Sequence, residues 1–266
     1  MFTTNPFSIL AETVPPIALQ SFVIVMVALV IIGTLVDIIH KKNVKYFFEN
    51  AKKAKLSATK TLSAGEKISV ISKTIVSDIA TTSELGAGKR RVAHLLGMYG
   101  TILFWTGSVI MIFCYSSPSS DTPSYWPIIW HVGAIMTVVG GSWFWFFLRV
   151  DVYSEAHPWY RIIKADLFVL ALIASSLFGL IWSCLQSLDL NDRWDDKVFL
   201  VLYIISNFVL FGGVYWSKFA HMFYKPGAAI QKNLAEADGS RDNLPPPADA
   251  PKKFGLGIER EAPKHY

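Results

Sequence analysis

Apolar residues are gathered into five stretches along the chain, and a polar segment separates each stretch from the next. Each stretch holds about 20 mostly apolar residues, the length that an α-helix needs to cross the hydrocarbon core of a bilayer. The pattern therefore predicts an all-α membrane protein, built as a bundle of five transmembrane helices. The predicted spans are 17–39, 93–115, 126–148, 165–187 and 198–221.

The segments outside these spans differ in length and character. Residues 1–16 form a short N-terminal segment, whereas residues 40–92 form a long loop rich in lysine. Apolar residues recur at helical spacing in this loop and predict a surface helix, which could lie on anionic lipid, contact a soluble partner or be part of a solvated connector. The tail, 222–266, is predicted to be disordered or to dock on a partner. The residues at helical spacing are Ile68, Ile71, Ile75 and Ile79.

Lysine and arginine are distributed very unevenly among the predicted loops. Of the 25 in the chain, 23 lie in the 40–92 loop, between spans three and four, or from Lys218 onward. Cytoplasmic loops of membrane proteins carry an excess of these residues. The distribution therefore predicts a multi-pass protein with its N-terminus outside and its C-terminus in the cytoplasm.

Composition agrees with a membrane protein and narrows the possible chemistry. The chain is 52% hydrophobic and only 17% charged, with a mean hydropathy of +0.38, which excludes an ordinary soluble domain. Its net charge of +5 is explained by basic cytoplasmic loops, so we expect no nucleic-acid partner. The two cysteines, Cys114 and Cys184, cannot ligate an iron–sulfur cluster or a Cys-rich zinc site, and two free thiols are favoured over a disulfide.

Two histidines are predicted at the same depth of the inner membrane boundary. His94 begins span two directly after a basic run, and His221 ends span five. Two neutral imidazoles that face each other across a helical bundle can ligate the iron of a haem b, and nearby Arg90, Arg91 and Lys218 could contact its propionates. Glycines inside the spans could admit the macrocycle, although close helix packing is their commoner role. The alternative is a pair of ordinary interfacial histidines.

Three further ionisable residues are candidates for a quinone site, because quinone chemistry exchanges protons as well as electrons. Asp37 lies at the inner end of span one, and Asp166 lies at the start of span four. A simpler interpretation of both carboxylates is that they extend from helix ends into water. His131 lies near the outer end of span three, where it could sit in the membrane interface, exchange a proton with quinone or, as the least expected alternative, bond across helices.

Two short segments carry a resemblance to a known group of proteins. KRRVAH, which ends at His94, and SKFAHMFYKP, which contains His221, resemble the respiratory nitrate reductase gamma-type cytochrome b group over about residues 17–226. This group includes membrane subunits of heterodisulfide reductase and of quinone-interacting oxidoreductase complexes. The resemblance implies electron transfer between quinone and a soluble cytoplasmic iron–sulfur or flavin partner. Members with two haems carry further histidines where this chain has Phe104 and Tyr203, which implies one inner haem b and no outer one.

The long basic loop and proline-rich tail are most similar to membrane anchors associated with dissimilatory adenylylsulfate reductase. The similarity implies that this chain anchors a soluble flavin and iron–sulfur enzyme, which interconverts sulfite plus AMP with adenylylsulfate, and links it to the quinone pool. No residue of this chain would carry the sulfur chemistry, so we expect a non-catalytic or quinone-reactive subunit. The alternative is a cofactor-free structural anchor for a soluble enzyme. Transport is the least expected function, because no inverted repeat is visible.

Overall fold

The structure is a computed structural model, and it describes residues 2–85, 88–149, 158–188 and 193–240. It is 79% helix, and the described residues include no strand, so the predicted all-α class is correct. The α-helices of this part of the chain are α1 (Pro6–Leu10), α2 (Pro16–Lys41), α3 (Asn43–Leu56), α4 (Ala64–Thr74), α5 (Lys89–Cys114), α6 (Tyr125–Trp143), α7 (Leu167–Ser187), α8 (Trp194–Gly212) and α9 (His221–Ala237).

Other helix types extend several of these elements. They are the π-helices Ile75–Ala80 after α4 and Phe144–Leu148 after α6, and the 3₁₀ turns Ser83–Leu85, Lys164–Asp166 before α7 and Lys218–Ala220 before α9.

Four helices of the described chain are long and apolar enough to cross a membrane, which is compatible with a multi-pass membrane protein. They match the first four predicted spans to within a few residues at each end, except that α5 begins four residues before the predicted start. The four are Pro16–Lys41, Lys89–Cys114, Tyr125–Leu148 and Lys164–Ser187.

The fifth predicted span differs most from the structure. It was placed at 198–221, whereas α8 runs Trp194–Gly212. Asp195, Asp196 and Lys197 occupy its first turn, so its uncharged part is short. Gly212 and Gly213 end the helix, because each glycine costs about 1 kcal/mol relative to alanine inside a helix. His221 therefore begins a new helix and does not end a span, which corrects the sequence prediction.

The chain divides into two compact units. The first combines Met1–Asp37 with Val92–Ala220, and the second combines Ile38–Arg91 with His221–Tyr266. The first unit contains most of α2 and α5 together with α6, α7 and α8. The second contains α3, α4 and α9, which are the longest parts of the chain outside the apolar helices.

The first unit is packed through glycines and aromatic rings. A Cβ added at Gly133 would lie 2.5 Å from the Phe104 nitrogen, and one added at Gly100 would lie 2.6 Å from the Thr137 nitrogen. Only a residue without a side chain allows α5 and α6 to approach so closely. Beside this contact lies a core in which Phe104, Trp130 and Trp182 are each no more than 1% exposed.

The N-terminal segment is part of the same core. Asn5 caps α1 by accepting a hydrogen bond from the Phe7 nitrogen at 3.0 Å, and its side chain also donates to the Tyr115 carbonyl at 2.9 Å. The Phe7 ring then lies 5.9 Å from that of Trp130 and 5.6 Å from that of Trp182. The 1–16 segment thus contributes a buried aromatic side chain to the bundle.

The second unit confirms the predicted surface helix and corrects the predicted tail. The helix in the 40–92 loop is α4, which begins at a capping box formed by Ser63 and Glu66. Of the two alternatives for the tail, 222–266, disorder is wrong as far as Ala237, where α9 ends, and docking on a partner stays a prediction. The reason is tertiary, since α9 packs on α3 and α4 and the Asp238 carbonyl accepts hydrogen bonds from two loop nitrogens. The proline-rich remainder, 241–266, lies outside the described residues.

Candidate functional site

The two histidines predicted to ligate haem lie in different units. His94 is on α5 and is half-buried in the first unit, whereas His221 begins α9 in the second. The structure describes the backbone of His221 but not its side chain, so the predicted pairing is untested. One argument for it fails, however. The equal depth of the two histidines was predicted from a span five that ends at His221, and α8 ends at Gly212.

The residues predicted to contact the haem propionates are likewise divided between the units. Arg91 donates from Nε to the Thr81 carbonyl at 2.7 Å, within the second unit. Arg90 belongs to the same unit and is partly exposed, and Lys218 is exposed in the first unit. Their role at a haem remains a prediction from the sequence.

Close helix packing explains three of the glycines that could have admitted a macrocycle. Gly100 and Gly140 face the backbone of the neighbouring helix, and a Cβ at Gly107 would lie 2.9 Å from the Trp130 Cβ. Added Cβ atoms at Gly97 and Gly212 would meet nothing within 4 Å. The commoner role of transmembrane glycines therefore applies to most of this set.

Aromatic rings lie at Phe104 and Tyr203, the two positions that the sequence resemblance compares with a second pair of haem-ligating histidines. Phe104 lies 5.1 Å from Trp130 between ring centroids, and Tyr203 stacks on Trp182 at 5.9 Å. Phe104 and Tyr203 are themselves 6.4 Å apart. These four side chains form one cluster, and all are buried.

Asp166 does not extend into water, which corrects the simpler interpretation of this carboxylate. It is 4% exposed, and its Oδ2 accepts a hydrogen bond from Arg149 at 2.5 Å. Lys164, two residues before it, is exposed. Asp37 is also buried, at 1% exposure near the end of α2. Neither carboxylate is thus a solvated helix-end charge.

Arg149, which the sequence analysis did not single out, organises the start of α7. It is fully buried and donates to the carbonyls of Pro158 at 2.9 Å and Arg161 at 2.6 Å, besides its bond to Asp166. Its guanidinium also lies 4.2 Å from the Trp145 ring centroid. A buried guanidinium with this many acceptors fixes the polypeptide around it. The signal in the sequence was an arginine directly after an apolar span, followed by an acid at the start of the next.

His131 is held between two helices of the first unit. It is fully buried; Nδ1 lies 2.7 Å from the Pro127 carbonyl and Nε2 lies 2.8 Å from the Ser183 hydroxyl. A carbonyl only accepts, so Nδ1 carries the proton and Nε2 accepts from Ser183. The least expected alternative, a bond from α6 to α7, is therefore the observed one, and the depth of His131 relative to the membrane interface stays a prediction. A quinone role for His131, Asp37 or Asp166 is untested.

A polar seam joins α4 and its π-helical extension to α9 in the second unit. Asn233 donates from Nδ2 to the Thr74 hydroxyl at 2.8 Å and to Asp78 Oδ2 at 2.7 Å. Ser77 and Ser83 donate to the other carboxylate oxygen of Asp78. These hydrogen bonds favour the anion and lower the pKa of Asp78 below its ordinary value of 3.8, with Asn233 as the largest cause and Ser83 the next. This pairing could not be predicted from local sequence patterns, because its partners lie more than 150 positions apart.

The second unit carries most of the positive charge of the chain. Over 38–91 and 221–240 the sequence has fourteen Lys and Arg residues but only six Asp and Glu residues. Its surface also exposes large apolar side chains, among them Ile68 at 64% and Val76 at 63%. A basic surface with exposed apolar residues is suited to contact with an acidic macromolecule or an anionic membrane.

Comparison with protein-family models, with characterised proteins and with solved structures finds no match to this chain. Among the described residues, no group of three or more His, Cys, Asp or Glu side chains is arranged to hold a metal ion. Cys114 and Cys184 are both free thiols, as favoured from the sequence, although Cys114 is exposed.

Proposed function

We propose that this protein is the membrane anchor of a soluble cytoplasmic oxidoreductase in the bacterial inner membrane. The observation that carries the proposal is the division of the chain into an apolar helical unit and a compact basic helical unit. The apolar unit would hold the protein in the bilayer, and the basic unit would present a folded docking surface at its face. Adenylylsulfate reductase is the partner favoured by the sequence resemblance.

Five spans are supported by the internal contacts of the second unit. The Thr59 and Lys60 nitrogens donate to the Asp238 carbonyl at 3.0 and 3.2 Å, so the loop before α5 and the segment after α8 lie on one side of the membrane. That requires an even number of crossings between them. Three of the intervening helices are long and apolar enough to span, and α8 would supply the fourth crossing.

The shortness of α8 does not prevent it from crossing. Its uncharged part, 198–212, covers about 22 Å at the helical rise of 1.5 Å per residue, and the first-turn charges would reach the outer headgroups. Asn207 on α8 accepts a hydrogen bond from Ser175 on α7 at 3.2 Å, so its amide is satisfied inside the bundle. With α2, this gives five spans and termini on opposite sides.

The charge of the second unit supports its assignment to the cytoplasmic side. Fourteen Lys and Arg residues on one side of a membrane follow the positive-inside rule, which places the N-terminus outside. The same charge would attract an acidic patch on a soluble partner and raise the rate of encounter.

The partner would contact the exposed apolar stripe of α4 and its extension, formed by Ile68, Ile75 and Val76. These side chains are 64, 46 and 63% exposed. Ile75 and Val76 lie seven and eight residues after Ile68, about two helical turns along the chain, which places all three on one side of the helix. Apolar side chains grouped in this way mark interaction surfaces more often than single exposed ones do.

Recruitment of adenylylsulfate reductase to membranes tests the proposal. The enzyme is co-expressed with the full chain, and the membrane-bound fraction is measured by sedimentation. We expect recruitment by the unchanged chain and at least tenfold less by I68D together with V76D, since about 1.4 kcal/mol of lost contact gives that factor. The matched control, T61D together with S69D, adds the same charge at exposed polar positions and should recruit normally. Absence of recruitment by the unchanged chain would overturn the choice of partner. Equal recruitment by both double variants would show that the stripe is not the docking surface.

Electron transfer through one haem b is the second candidate function, and it rests on the sequence resemblance and on the half-buried position of His94 in the apolar unit. His94 and His221 would hold the iron, and the haem would supply one-electron transfer between the soluble partner and quinone. A reduced-minus-oxidised spectrum of the purified chain, with a haemochrome assay, measures the content. About one haem per chain, lost in H94A and in H221A but kept in H40A, would support this function. No haem in a folded chain would leave anchoring alone.

A further inference from the structure

Helix α3 begins at the point where the first apolar helix ends. Only Lys42 separates α2 from α3, and it adopts the left-handed conformation with φ of 52°. Because α2 is long enough to span a membrane, its last residue, Lys41, marks the membrane boundary. Because α3 follows this boundary after one residue, its first turn must lie at the depth of the lipid headgroups.

One face of α3 is directed into the second unit. Val44, Phe47, Ala51 and Ala54 are partly buried, and they follow one another at intervals of three and four residues. α3 also contacts α9. This face is accounted for by packing within the unit, so any further role of α3 must belong to its outward face.

The outward face combines exposed apolar side chains with lysines. Phe48 is 65% exposed and Leu56 is 84% exposed, and they lie two helical turns apart with Lys52 between them. Lys45 and Lys55 are exposed on the same side of the helix. Lys45 also forms an ion pair with Glu49 at 3.7 Å, and because this pair is open to solvent it contributes little and leaves Lys45 accessible to a phosphate. Over its whole length α3 has four lysines and one glutamate, Glu49.

This arrangement is typical of a helix that lies in a membrane interface. Aromatic and leucine side chains enter the boundary between headgroups and acyl chains, while lysines contact phosphates through their flexible stems. Each lysine near an anionic lipid surface contributes about a fivefold increase in binding. An acidic protein would satisfy the lysines, but it would not explain why the face begins directly at the end of a transmembrane helix.

We propose that the outward face of α3, formed by Lys45, Phe48, Lys52, Lys55 and Leu56, binds anionic lipid headgroups. Phe48 and Leu56 insert at the level of the upper acyl chains, and the three lysines pair with lipid phosphates. The surface is distinct from the α4 stripe, so lipid binding and partner docking occupy different faces of the same unit. The leaflet follows from the proposed orientation, but binding to anionic lipid does not depend on it.

The test measures the depth of residue 48 in lipid nanodiscs that contain the full chain. Cys114 and Cys184 are replaced by serine, F48C is labelled with an environment-sensitive fluorophore, and lipids with a quencher at the upper acyl chain are included. Discs of phosphatidylcholine are compared with discs that contain phosphatidylglycerol. We expect a blue shift and strong quenching at residue 48 in the anionic discs, and little of either for a label at I68C. K45Q, K52Q and K55Q together should lower the bound-to-free ratio of the helix on the order of 100-fold.

The matched control removes the same number of positive charges from the second unit, but at positions outside α3. K60Q, K67Q and K73Q alter three exposed lysines of the same unit outside α3 and should leave quenching at residue 48 unchanged. Equal quenching in neutral and anionic discs, or equal loss in both triple variants, would overturn the proposal. So would a label at 48 that stays in water in both lipids and is shielded only when an acidic soluble protein is added. No soluble partner is present in the main comparison, so failure here is separate from failure of partner recruitment.

Discussion

The two units of this protein are both helical, yet the internal packing of each is stabilised by different interactions. In the first, glycines bring helix backbones into contact, and the interior is filled by rings such as Trp130 and Trp182. In the second, the packing of α4 on α9 is fixed by hydrogen bonds centred on Asn233, and lysines cover the surface. The difference follows from the surroundings each unit is suited to. Helices in lipid gain no hydrophobic free energy when they associate, so their contacts depend on close packing. In water, polar and charged side chains on the surface are favourably hydrated.

The largest effect on the free energy of unfolding is expected at the buried ion pair of the first unit, whose other contacts are mainly apolar. R149M removes the partner of Asp166 and leaves a buried carboxylate, which should cost about 3–5 kcal/mol of unfolding free energy. Unfolding of the detergent-solubilised protein by sodium dodecyl sulfate measures this loss. The second unit should keep its amide hydrogen-exchange protection.

The control restores charge balance without the ion pair. R149M combined with D166L should regain the part of the lost stability that belongs to the unpaired carboxylate but not the rest, because the Pro158 and Arg161 carbonyls still lack the donors that Arg149 supplies. A loss below 1 kcal/mol in R149M would show that the pair does not organise the start of α7.

Glycine contacts should give the next largest effect. In G133A the added Cβ meets the Phe104 nitrogen at 2.5 Å, so α5 and α6 must move apart, at an expected cost of about 1–3 kcal/mol in the same unfolding assay. G97A is the matched substitution in α5, where nothing lies within 4 Å of the new atom. It should be neutral or stabilising by up to ~1 kcal/mol, because alanine favours the helix. Similar losses in both variants would contradict the packing account.

The polar seam of the second unit should show a smaller and more local effect. N233L removes the donor shared by Thr74 and Asp78 and should cost about 1–2 kcal/mol, read from hydrogen exchange in α4 and α9. Exchange in the Trp130 core should not change. Faster exchange throughout both units would indicate that the seam supports the whole protein, contrary to the comparison.

The same seam predicts a dependence on pH. Because the folded pKa of Asp78 is lowered from 3.8, the unfolded state binds more protons in the acid range. The contribution of Asp78 to stability is therefore complete above about pH 4 and is lost as pH falls through the folded pKa. N233L should flatten this acid-side loss, and an unchanged slope would exclude Asn233 as its main cause.

The smallest effect is expected at His131. S183A removes the hydroxyl that donates to Nε2, and interhelical hydrogen bonds in membranes contribute ~0.6 kcal/mol on average. The unfolding assay should register a change of this size. The neighbouring substitution S187A, which removes a hydroxyl bonded only to its own helix, provides the comparison. A loss above 2 kcal/mol in S183A alone would make His131 a principal support of the bundle.

Hydropathy predicted the first four long helices because each is set by local composition. The end of α8 was missed, since two glycines and a turn at 213–217 interrupt a sequence that stays apolar to Trp216. The folding of α9 was missed for a different reason: it is fixed by partners such as Thr74, far away in the chain. Arg149 and Ser183 were overlooked because their roles depend on geometry between helices. His94 and His221 could be chosen as candidates from the sequence, but whether their side chains lie near each other could not be predicted from it.

The side of the membrane on which each segment lies tests the central claim most directly. Glu12, Lys60 and Lys232 are replaced one at a time by cysteine in the chain that lacks Cys114 and Cys184. Each variant is labelled with a membrane-impermeant maleimide in intact cells from which the outer membrane and cell wall have been removed. We predict labelling at residue 12 from outside, and labelling at 60 and 232 only in inverted vesicles. Residues 60 and 232 on opposite sides would contradict the five-span anchor and its cytoplasmic docking unit.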